Sequence, residues 1–408
     1  MRTSAWLFAL GWLSGCGPGG SGGTTPPLTV DKDIEAATTW TLSTGDCDVV
    51  VKGVQAVRAA LVIEKGTKVC FEADAGLLVE ANGSLTAAGT PEAPILFTST
   101  NQTKGAWKGL AFVSVNNANQ LVHTDISYAG GAESFCCGFF LGNESVKAAV
   151  VLGDYKSGAQ VTIQNTKIHR SGSYGLFAFE KATLEGFSSN TFEANAQAPL
   201  AVYLPQLGSL DAASVYSGGA SPNGTQYIRV TGGEPLTTDL TVRKLDTAYG
   251  MGAGRPDSVF AVKADLTIQS GVRFEFEANS GILVEEDGRL LSTGTASERV
   301  VFTGGGTIRG FWKGLAFLSL GNVLEETDVI YGGNADPFCC GFFEPGSGPS
   351  TRANLVVGDY NTAAGLTLRN IKSIESGGRG ITVLSASTVT QEGTNDLTSQ
   401  NATPNLGL

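Results

Sequence analysis

Short bursts of alternating apolar residues run along the chain between residues 61 and 97. The apolar positions are Leu61, Ile63, Val69, Phe71, Leu77, Val79, Leu85, Ile95 and Phe97. Side chains two residues apart on a β-strand point to the same face, so each burst predicts a short strand with one buried face. Glycines stand between the bursts, at Gly66, Gly76, Gly83 and Gly89. The pattern therefore predicts many short strands joined by tight turns, where glycine supplies positive φ.

The same pattern returns 205 residues later. Residues 50–200 resemble residues 255–405, and the hexapeptide Trp-Lys-Gly-Leu-Ala-Phe that begins at Trp107 recurs letter for letter from Trp312. A period of this length is too long for one structural unit, so each copy must be a stack of smaller units. At roughly 20–25 residues per coil, each copy would hold about eight to ten coils, whose strands stack on those of the next coil and bury a shared apolar column.

The composition fits a folded, turn-rich chain with an acidic surface. Of 408 residues, 42% are hydrophobic, 16% are charged and 55 are glycine. The net charge of −11 repels phosphate backbones and argues against nucleic acid as a partner. His123 and His169 are the only histidines, which restricts catalysis or metal binding by imidazole.

The amino terminus resembles the leader of a bacterial lipoprotein. A basic start is followed by an apolar run from Ala5 to Leu13, which is too short to span a bilayer. The run ends in Leu-Ser-Gly-Cys at 13–16, which resembles a lipobox. The resemblance implies cleavage before Cys16 and a lipid anchor on its thiol, and Gly17 in place of Asp indicates the outer membrane or the cell surface. The alternative is an ordinary secretory leader with an incidental cysteine.

The body of the chain resembles bacterial parallel β-helix proteins. Leu-Val-Ile-Glu-Lys-Gly at 61–66 and Leu-Thr-Ile-Gln-Ser-Gly at 266–271 look like the start of such repeats. The resemblance, to the pectate-lyase-like superfamily, implies an all-β, right-handed parallel β-helix (a solenoid) in two tandem copies. The predicted divisions are a signal peptide at 1–15, the lipidated cysteine and a Gly/Pro-rich tether at 16–37, a first copy at 38–222 and a second copy at 223–408. We expect one continuous column; the alternative is two columns hinged near 217–226.

A later coil is weaker in the second copy. Asn190 and Asn195 flank a strand pattern of the same superfamily type. Asn395 matches the first of them, but Gln400 stands where the second asparagine is expected.

Phe-Cys-Cys-Gly-Phe-Phe, at 135–140 and again at 338–343, is the most unusual element. The spacing between the copies changes by two residues on either side of it, and such changes collect in loops, so we predict a loop leaving the column. Its cysteines are Cys136, Cys137, Cys339 and Cys340. They allow a strained vicinal disulfide in each copy, ordinary disulfides to neighbouring segments, or metal-binding thiolates. The candidates for contact with a sugar ring or a partner protein are Phe135, Phe139, Phe140, Phe338, Phe342 and Phe343.

Two further patterns concern pairs of residues. Cys47 and Cys70 form a plausible disulfide that would fasten the first coil, because Glu275 stands at the position of Cys70 in the second copy. Gly-Asp-Tyr recurs with Asp154–Tyr155 and Asp359–Tyr360. These pairs are candidates for binding sugar or calcium, or the aspartates are turn residues that accept backbone hydrogen bonds.

The sequence therefore predicts an envelope-anchored, non-catalytic scaffold that binds polysaccharide or an envelope protein. No cofactor is expected, and calcium is a candidate metal for the aspartates. The absence of Asp-Asp, Gly-His-Gly and Asn-Thr-Asp motifs argues against the pectin hydrolases of this superfamily. The alternatives are a polysaccharide lyase, in which Lys108 or Lys313 would act as a base beside a carboxylate, and a purely structural spacer.

Overall fold

The computed structural model describes residues 26–403, apart from residues 44, 132, 253–257, 337, 339–340 and 344–350. The predicted signal peptide, Cys16, Cys339 and Cys340 lie outside the described residues. Those that are described form short β-strands and a 3₁₀ segment at Leu204–Ser209. No helix among them has the length and hydrophobicity that a bilayer-spanning segment requires.

The strands of the first half run to residue 203. They are β1 (Leu28–Val30), β2 (Thr38–Trp40), β3 (Val49–Val51), β4 (Val54–Val57), β5 (Ala60–Ile63), β6 (Lys68–Phe71), β7 (Gly76–Val79), β8 (Ser84–Ala88), β9 (Ile95–Ser99), β10 (Gly109–Phe112), β11 (Gln120–Val122), β12 (Thr124–Ser127), β13 (Phe140–Leu141), β14 (Glu144–Ser145), β15 (Ala148–Leu152), β16 (Gln160–Gln164), β17 (Lys167–His169), β18 (Tyr174–Ala178), β19 (Thr183–Ser188), β20 (Thr191–Glu193) and β21 (Leu200–Tyr203).

The strands of the second half begin at residue 227. They are β22 (Tyr227–Thr231), β23 (Leu240–Val242), β24 (Ala248–Met251), β25 (Val259–Val262), β26 (Asp265–Gln269), β27 (Arg273–Phe276), β28 (Gly281–Val284), β29 (Arg289–Thr293), β30 (Val300–Gly304), β31 (Gly314–Phe317), β32 (Asn322–Glu325), β33 (Thr327–Ile330), β34 (Ala353–Val357), β35 (Gly365–Arg369), β36 (Lys372–Ile374), β37 (Arg379–Val383) and β38 (Thr388–Glu392).

These strands stack into long parallel sheets, to which successive strands of the chain contribute in rotation. Sheet 1 contains β1, β3, β6, β9, β12, β17 and β20, and sheet 3 contains β2, β5, β8, β11, β16 and β19. Sheet 2 has 12 strands: β4, β7, β10, β15, β18, β21, β22, β24, β27, β30, β33 and β36. Sheet 4 contains β23, β26, β29, β32, β35 and β38, and sheet 5 contains β25, β28, β31, β34 and β37. This all-β arrangement is consistent with a parallel β-solenoid; β13 and β14 form a small antiparallel pair.

Inward-facing side chains form continuous apolar ladders along the sheets. In sheet 2, register pairing joins Leu77, Leu110, Val150, Leu176 and Leu200 in that order, and all five are fully buried. Each buried side chain of this size stabilises the fold by roughly 1.5–3 kcal/mol. The seven strands of sheet 1 are fewer than the eight to ten coils expected for one copy, because the coil from β12 to β17 carries a long loop.

A strand and its sequence counterpart do not share a sheet. The first-half strands β7, β10, β15 and β18 lie in sheet 2, whereas their counterparts β28, β31, β34 and β37 lie in sheet 5. Sheet 2 continues instead into β27, β30, β33 and β36, which are the counterparts of strands in sheet 1. The repeated Phe-Cys-Cys-Gly-Phe-Phe loops therefore leave from different corners, the first between sheets 1 and 2 and the second between sheets 2 and 5.

The recurring tryptophans belong to the core. Trp107 stacks on Phe71 with ring centroids 3.9 Å apart, and Trp312 stacks on Phe276 at 4.1 Å. Both indoles are fully buried, and each donates its Nε1–H to a backbone carbonyl at 2.8 Å. A buried indole needs such an acceptor, so this repeated motif holds the column together.

Asparagine side chains form hydrogen bonds with backbone groups where the coils turn. One of these asparagines lies at a different position from the one that the sequence predicted. Asn195 Oδ1 accepts the N–H of Ser171 at 3.0 Å. The corresponding contact in the second half comes from Asn401, whose Oδ1 accepts the N–H of Ser376 at 2.8 Å. The second asparagine is therefore displaced by one residue, and the exposed Gln400 does not replace it.

The predicted Cys47–Cys70 disulfide is present, with Cα atoms 5.9 Å apart and a sequence separation of 23. It joins the segment before β3 to β6 in the first coils of the chain. A loop of this length implies a stabilisation of about 3 kcal/mol through the unfolded chain.

Candidate ligand-binding site

The Phe-Cys-Cys-Gly-Phe-Phe loop folds back over the outer face of sheet 2. Strands β10 and β15 are buried at every position, which requires cover on both faces of the sheet. Phe135 and Phe139 supply this cover: each is 3% exposed, and both pack in a small outer core with Ala111, Val151 and Phe177. Of the candidate contact residues, these two hold the loop on the column.

A glycine on the sheet makes room for the first phenylalanine. A Cβ atom placed on Gly76 would lie 2.9 Å from Cζ of Phe135. The second half repeats this contact, because a Cβ on Gly281 would lie 2.9 Å from Cζ of Phe338. Phe338 and Phe342 are each 3% exposed, so the second loop is held in the same way.

The loop is also tied to the Gly-Asp-Tyr turn that follows β15. Gly138 has φ of +135°, and its carbonyl accepts the N–H groups of Phe140 at 3.0 Å and Tyr155 at 3.2 Å. Asp154 Oδ1 accepts the N–H groups of Lys156 at 2.7 Å and Ser157 at 2.5 Å. Such a turn was one of the two interpretations of this aspartate, and it brings Tyr155 towards the loop.

The second half builds the same turn. Gly341 has φ of +130°, and its carbonyl accepts the N–H of Tyr360 at 2.8 Å. Asp359 Oδ1 accepts the N–H groups of Asn361 at 2.8 Å and Thr362 at 2.6 Å. One oxygen of each aspartate is thus committed to the backbone, which leaves less of the carboxylate for a ligand.

Each half presents one exposed pair of aromatic rings, which we call the aromatic platform. In the first half, Phe140 is 41% and Tyr155 is 49% exposed, and their ring centroids are 4.7 Å apart. In the second half, Phe343 is 38% and Tyr360 is 50% exposed, with centroids 5.3 Å apart. The two residues of a platform come from different turns, and the structure brings them together twice.

Polar groups border the first platform. Phe140, Asp154 and Tyr155 line a cavity of 260 Å³ that also includes Glu180 and Lys181. Lys156 Nζ lies 4.9 Å from the centroid of the Tyr155 ring. Hydrogen bonding and charge at Tyr155 raise the pKa of Lys156. The surface combines flat apolar rings with hydrogen-bonding groups at their edge, which is a composition suited to a sugar.

The cysteines of the first loop are exposed and are not joined by a disulfide. The Sγ atoms of Cys136 and Cys137 lie 2.6 Å apart, and Cys137 has φ of +65°. The hydrogen bond with the Cys137 thiol raises the pKa of Cys136. The described residues contain no group of three or more His, Cys, Asp or Glu side chains that could hold a metal ion.

The lysines of the repeated Trp-Lys-Gly motif hold the start of each loop. Lys108 Nζ donates to the carbonyls of Glu133 at 3.2 Å and Ser134 at 3.3 Å. Lys313 is buried and donates to the Asp336 carbonyl at 2.6 Å. These contacts give both ammonium groups a positioning role in the loop.

The sequence indicated the exposed phenylalanines and tyrosines separately but not their pairing. The only signal for it was that both motifs recur together, in the same order, in each half. The two-residue deletion lies before the loop, after β31, because Asn119 and Asn322 already make the same contacts in the two halves. The two residues are regained between Phe343 and Ala353, within the loop, as the sequence predicted. Comparison with known proteins gave no match to a family model, a curated protein or a solved structure.

Proposed function

We propose that the chain is an envelope-anchored, right-handed β-helix lipoprotein of two tandem copies that binds polysaccharide without cleaving it. The lipobox-like sequence at 13–16 supports the anchor, and the long parallel sheets support the scaffold. A continuous column is the simplest account of a sheet that includes strands from both halves. Binding takes place at the aromatic platforms.

The recurrence of an exposed Phe–Tyr pair is the observation that carries the proposal. Each loop contains three phenylalanines; two are 3% exposed, while the third is about ten times more exposed and lies against a tyrosine. Large aromatic side chains gain free energy from burial. Two platforms kept at the surface therefore fit a ligand that covers them, and the apolar face of a sugar ring matches their shape and size.

The loops that carry the two platforms leave the column at different corners. This placement determines how one polymer could bind both platforms. A single polysaccharide chain must wrap around the column to reach both platforms, or two chains bind one each. Linked weak sites gain affinity only when the ligand can span them. We therefore expect each platform to bind weakly on its own, with added avidity for long or cross-linked polymers.

Binding and cleavage can be measured in one experiment. The chain from residue 16 with Cys16→Ser would be incubated with a panel of polysaccharides, with and without calcium, and run in native gels containing each polymer. Retardation without new ultraviolet absorbance or reducing ends supports a non-catalytic scaffold. New absorbance from unsaturated products would establish a lyase instead.

A further inference from the structure

A glycine-lined corner lies between sheets 1 and 2, at the opposite end of β15 from the aromatic platform. A Cβ atom on Gly172 would lie 2.8 Å both from Cα of Gly105 and from the Gly130 carbonyl oxygen. The backbone of Gly172 therefore touches the turns of both Gly105 and Gly130, and the Ser171 hydroxyl packs against Gly130. The second half repeats this packing with Gly310, Gly333 and Gly377.

Cationic side chains border the first of these corners. Lys104 and Lys147 line a cavity of 310 Å³ whose other lining includes Ser173 and Gln197. Lys104 is exposed and Lys147 is half-buried. Across the part of the chain that the structure describes, neither lysine forms a salt bridge with a carboxylate.

The corresponding corner of the second half is less cationic and is filled. Arg352 stands there at the position of Lys147, and its Nε donates to the Gly333 carbonyl at 3.4 Å. Arg309, the counterpart of Lys104, pairs with Glu375 at 2.7 Å. Asn334 covers the glycines there, because its Nδ2 donates to the Gly310 carbonyl at 2.7 Å. The pairing of Arg309 with Glu375 shows that side chains at these two positions reach each other.

The first half has neither the acidic partner nor the asparagine that covers the glycines. Arg170 stands at the position of Glu375, and Gly131 at that of Asn334. Arg170 donates to the Tyr128 hydroxyl at 2.9 Å, and its guanidinium carbon lies 5.5 Å from the centroid of the Tyr128 ring. The acidic partner is thus exchanged for another cation, and the filling side chain is removed.

Lys104 and Lys147 therefore line an open corner on a chain whose net charge is −11. Arg170, which packs on Tyr128, stands where the second half has the carboxylate of Glu375. Like charges disfavour one another unless an opposite charge comes between them. The acidic Glu144 lines an adjoining cavity together with Lys147 and Arg229, and its charge acts on Arg229. The open floor and the polar Ser173 and Gln197 leave room for an anion between the lysines.

We infer that this cationic corner binds an anionic substituent of a glycan, namely a sulfate, phosphate or carboxylate group. The inference deepens the proposed function, and the choice of a glycan as the ligand rests on that proposal. Lys147 precedes β15 and Tyr155 lies just beyond its other end, and a five-residue strand spans roughly 17 Å. One acidic glycan chain can therefore place a ring on the platform and a charged group in the corner.

The test compares dextran, carboxymethyl dextran and dextran sulfate, which share one backbone and differ in charge. We expect the unlipidated chain to bind the charged polymers more tightly, with an affinity that falls as salt rises. The double variant Lys104→Gln/Lys147→Gln should weaken that binding by about tenfold, as expected for the loss of two charge-assisted contacts. The exposed Lys65→Gln is the matched control and should bind like the parent chain.

Two charge exchanges make the test specific to the corner. Arg170→Glu introduces the acidic partner found in the second half and should weaken binding of dextran sulfate. Asn334→Gly/Glu375→Arg opens the second corner and should strengthen binding of dextran sulfate. Circular dichroism establishes that each variant folds, and inorganic sulfate should compete with the polymer if the substituent alone is recognised.

The inference is overturned if the lysine double variant binds dextran sulfate as Lys65→Gln does, or if charge does not affect binding of the parent chain. Binding to phosphatidylglycerol vesicles that depends on both lysines, without binding to dextran sulfate, would overturn the glycan assignment in favour of a lipid headgroup. If polysaccharide binding persists and depends on Phe140 but not on the lysines, the corner fails while the proposed function stands.

Discussion

Phe140 and Tyr155 belong to two different turns, yet their rings lie 4.7 Å apart at the surface. Gly138 produces this contact, because its carbonyl accepts the backbone N–H of both residues. The same relationship in the second half joins Phe343 and Tyr360. A local backbone arrangement thus turns two separate sequence motifs into one surface.

Gly138→Ala should loosen the first loop. At φ of +135° only glycine is relaxed, and an added Cβ would lie 2.8 Å from Asp154 Oδ2. We expect a loss of about 1–3 kcal/mol in the free energy of unfolding, together with weaker binding at the platform. Gly142→Ala is the control, since Gly142 has φ of +61° and no atom within 4 Å of the added Cβ. Equal urea midpoints for the two variants would contradict this account of the loop.

Asn401→Ala should open the last described coil. Its side chain accepts the Ser376 N–H at 2.8 Å and donates to the Ser373 carbonyl at 3.0 Å, and unpaired buried groups of this kind cost about 1–3 kcal/mol. We expect faster hydrogen exchange at the Ser376 amide. Gln400→Asn should leave that amide unchanged, because Asn tolerates the φ of +60° at this position. The reverse order of effects would show that Gln400, and not Asn401, accepts the hydrogen bond of the Ser376 amide.

Acid should loosen the first coil through Asp33. A hydrogen bond from the Ala56 N–H at 2.9 Å, followed by contacts with Arg58, lowers the pKa of Asp33 below its ordinary 3.8. A group with a depressed folded pKa stabilises the fold above its unfolded pKa, and this contribution is lost as pH falls through the folded value. Thermal unfolding from pH 5 downwards should therefore be less pH-dependent in Asp33→Asn than in the parent chain. An unchanged pH dependence would remove Asp33 as a cause.

Cys136 and Cys137 should form a vicinal disulfide under oxidising conditions. The two thiols would each lose a proton and together two electrons to a disulfide oxidant, with formation of one S–S bond. Peptide mapping of protein purified without reductant should find residues 136 and 137 joined and resistant to alkylation. Alkylation of both thiols in the unreduced protein, with Cys47–Cys70 intact, would show that the pair remains reduced.

The stacked strands followed directly from the sequence. Leu77 and Val79 lie inward on β7, as their spacing predicted, because a two-residue period decides which face of a strand is buried. Cys47 and Cys70 were also paired correctly, since one copy alone contains them. These features depend on local pattern or on a difference between the copies.

The outer cover of sheet 2 did not follow from the sequence. Phe135 and Phe139 were indistinguishable from Phe140 as candidate contacts, because their burial depends on a loop returning to a distant strand. The uninterrupted apolar run Ala148–Leu152 was the available signal, since a strand with one solvated face would alternate. The position of Asn401 was missed because a one-residue shift in a turn leaves no mark in the apolar pattern.

The most direct test of the central claim is polysaccharide affinity after removal of both platforms. Phe140→Ala/Phe343→Ala should lose about tenfold or more in affinity for any polymer that retards the parent chain, as expected for the loss of more than about 1.4 kcal/mol of ring contact. Ile308→Ala is the control, because Ile308 is 71% exposed and lies outside both platforms. The account predicts retardation in native gels that is lost in the double variant and kept in the control. Retardation that persists in the double variant would contradict it.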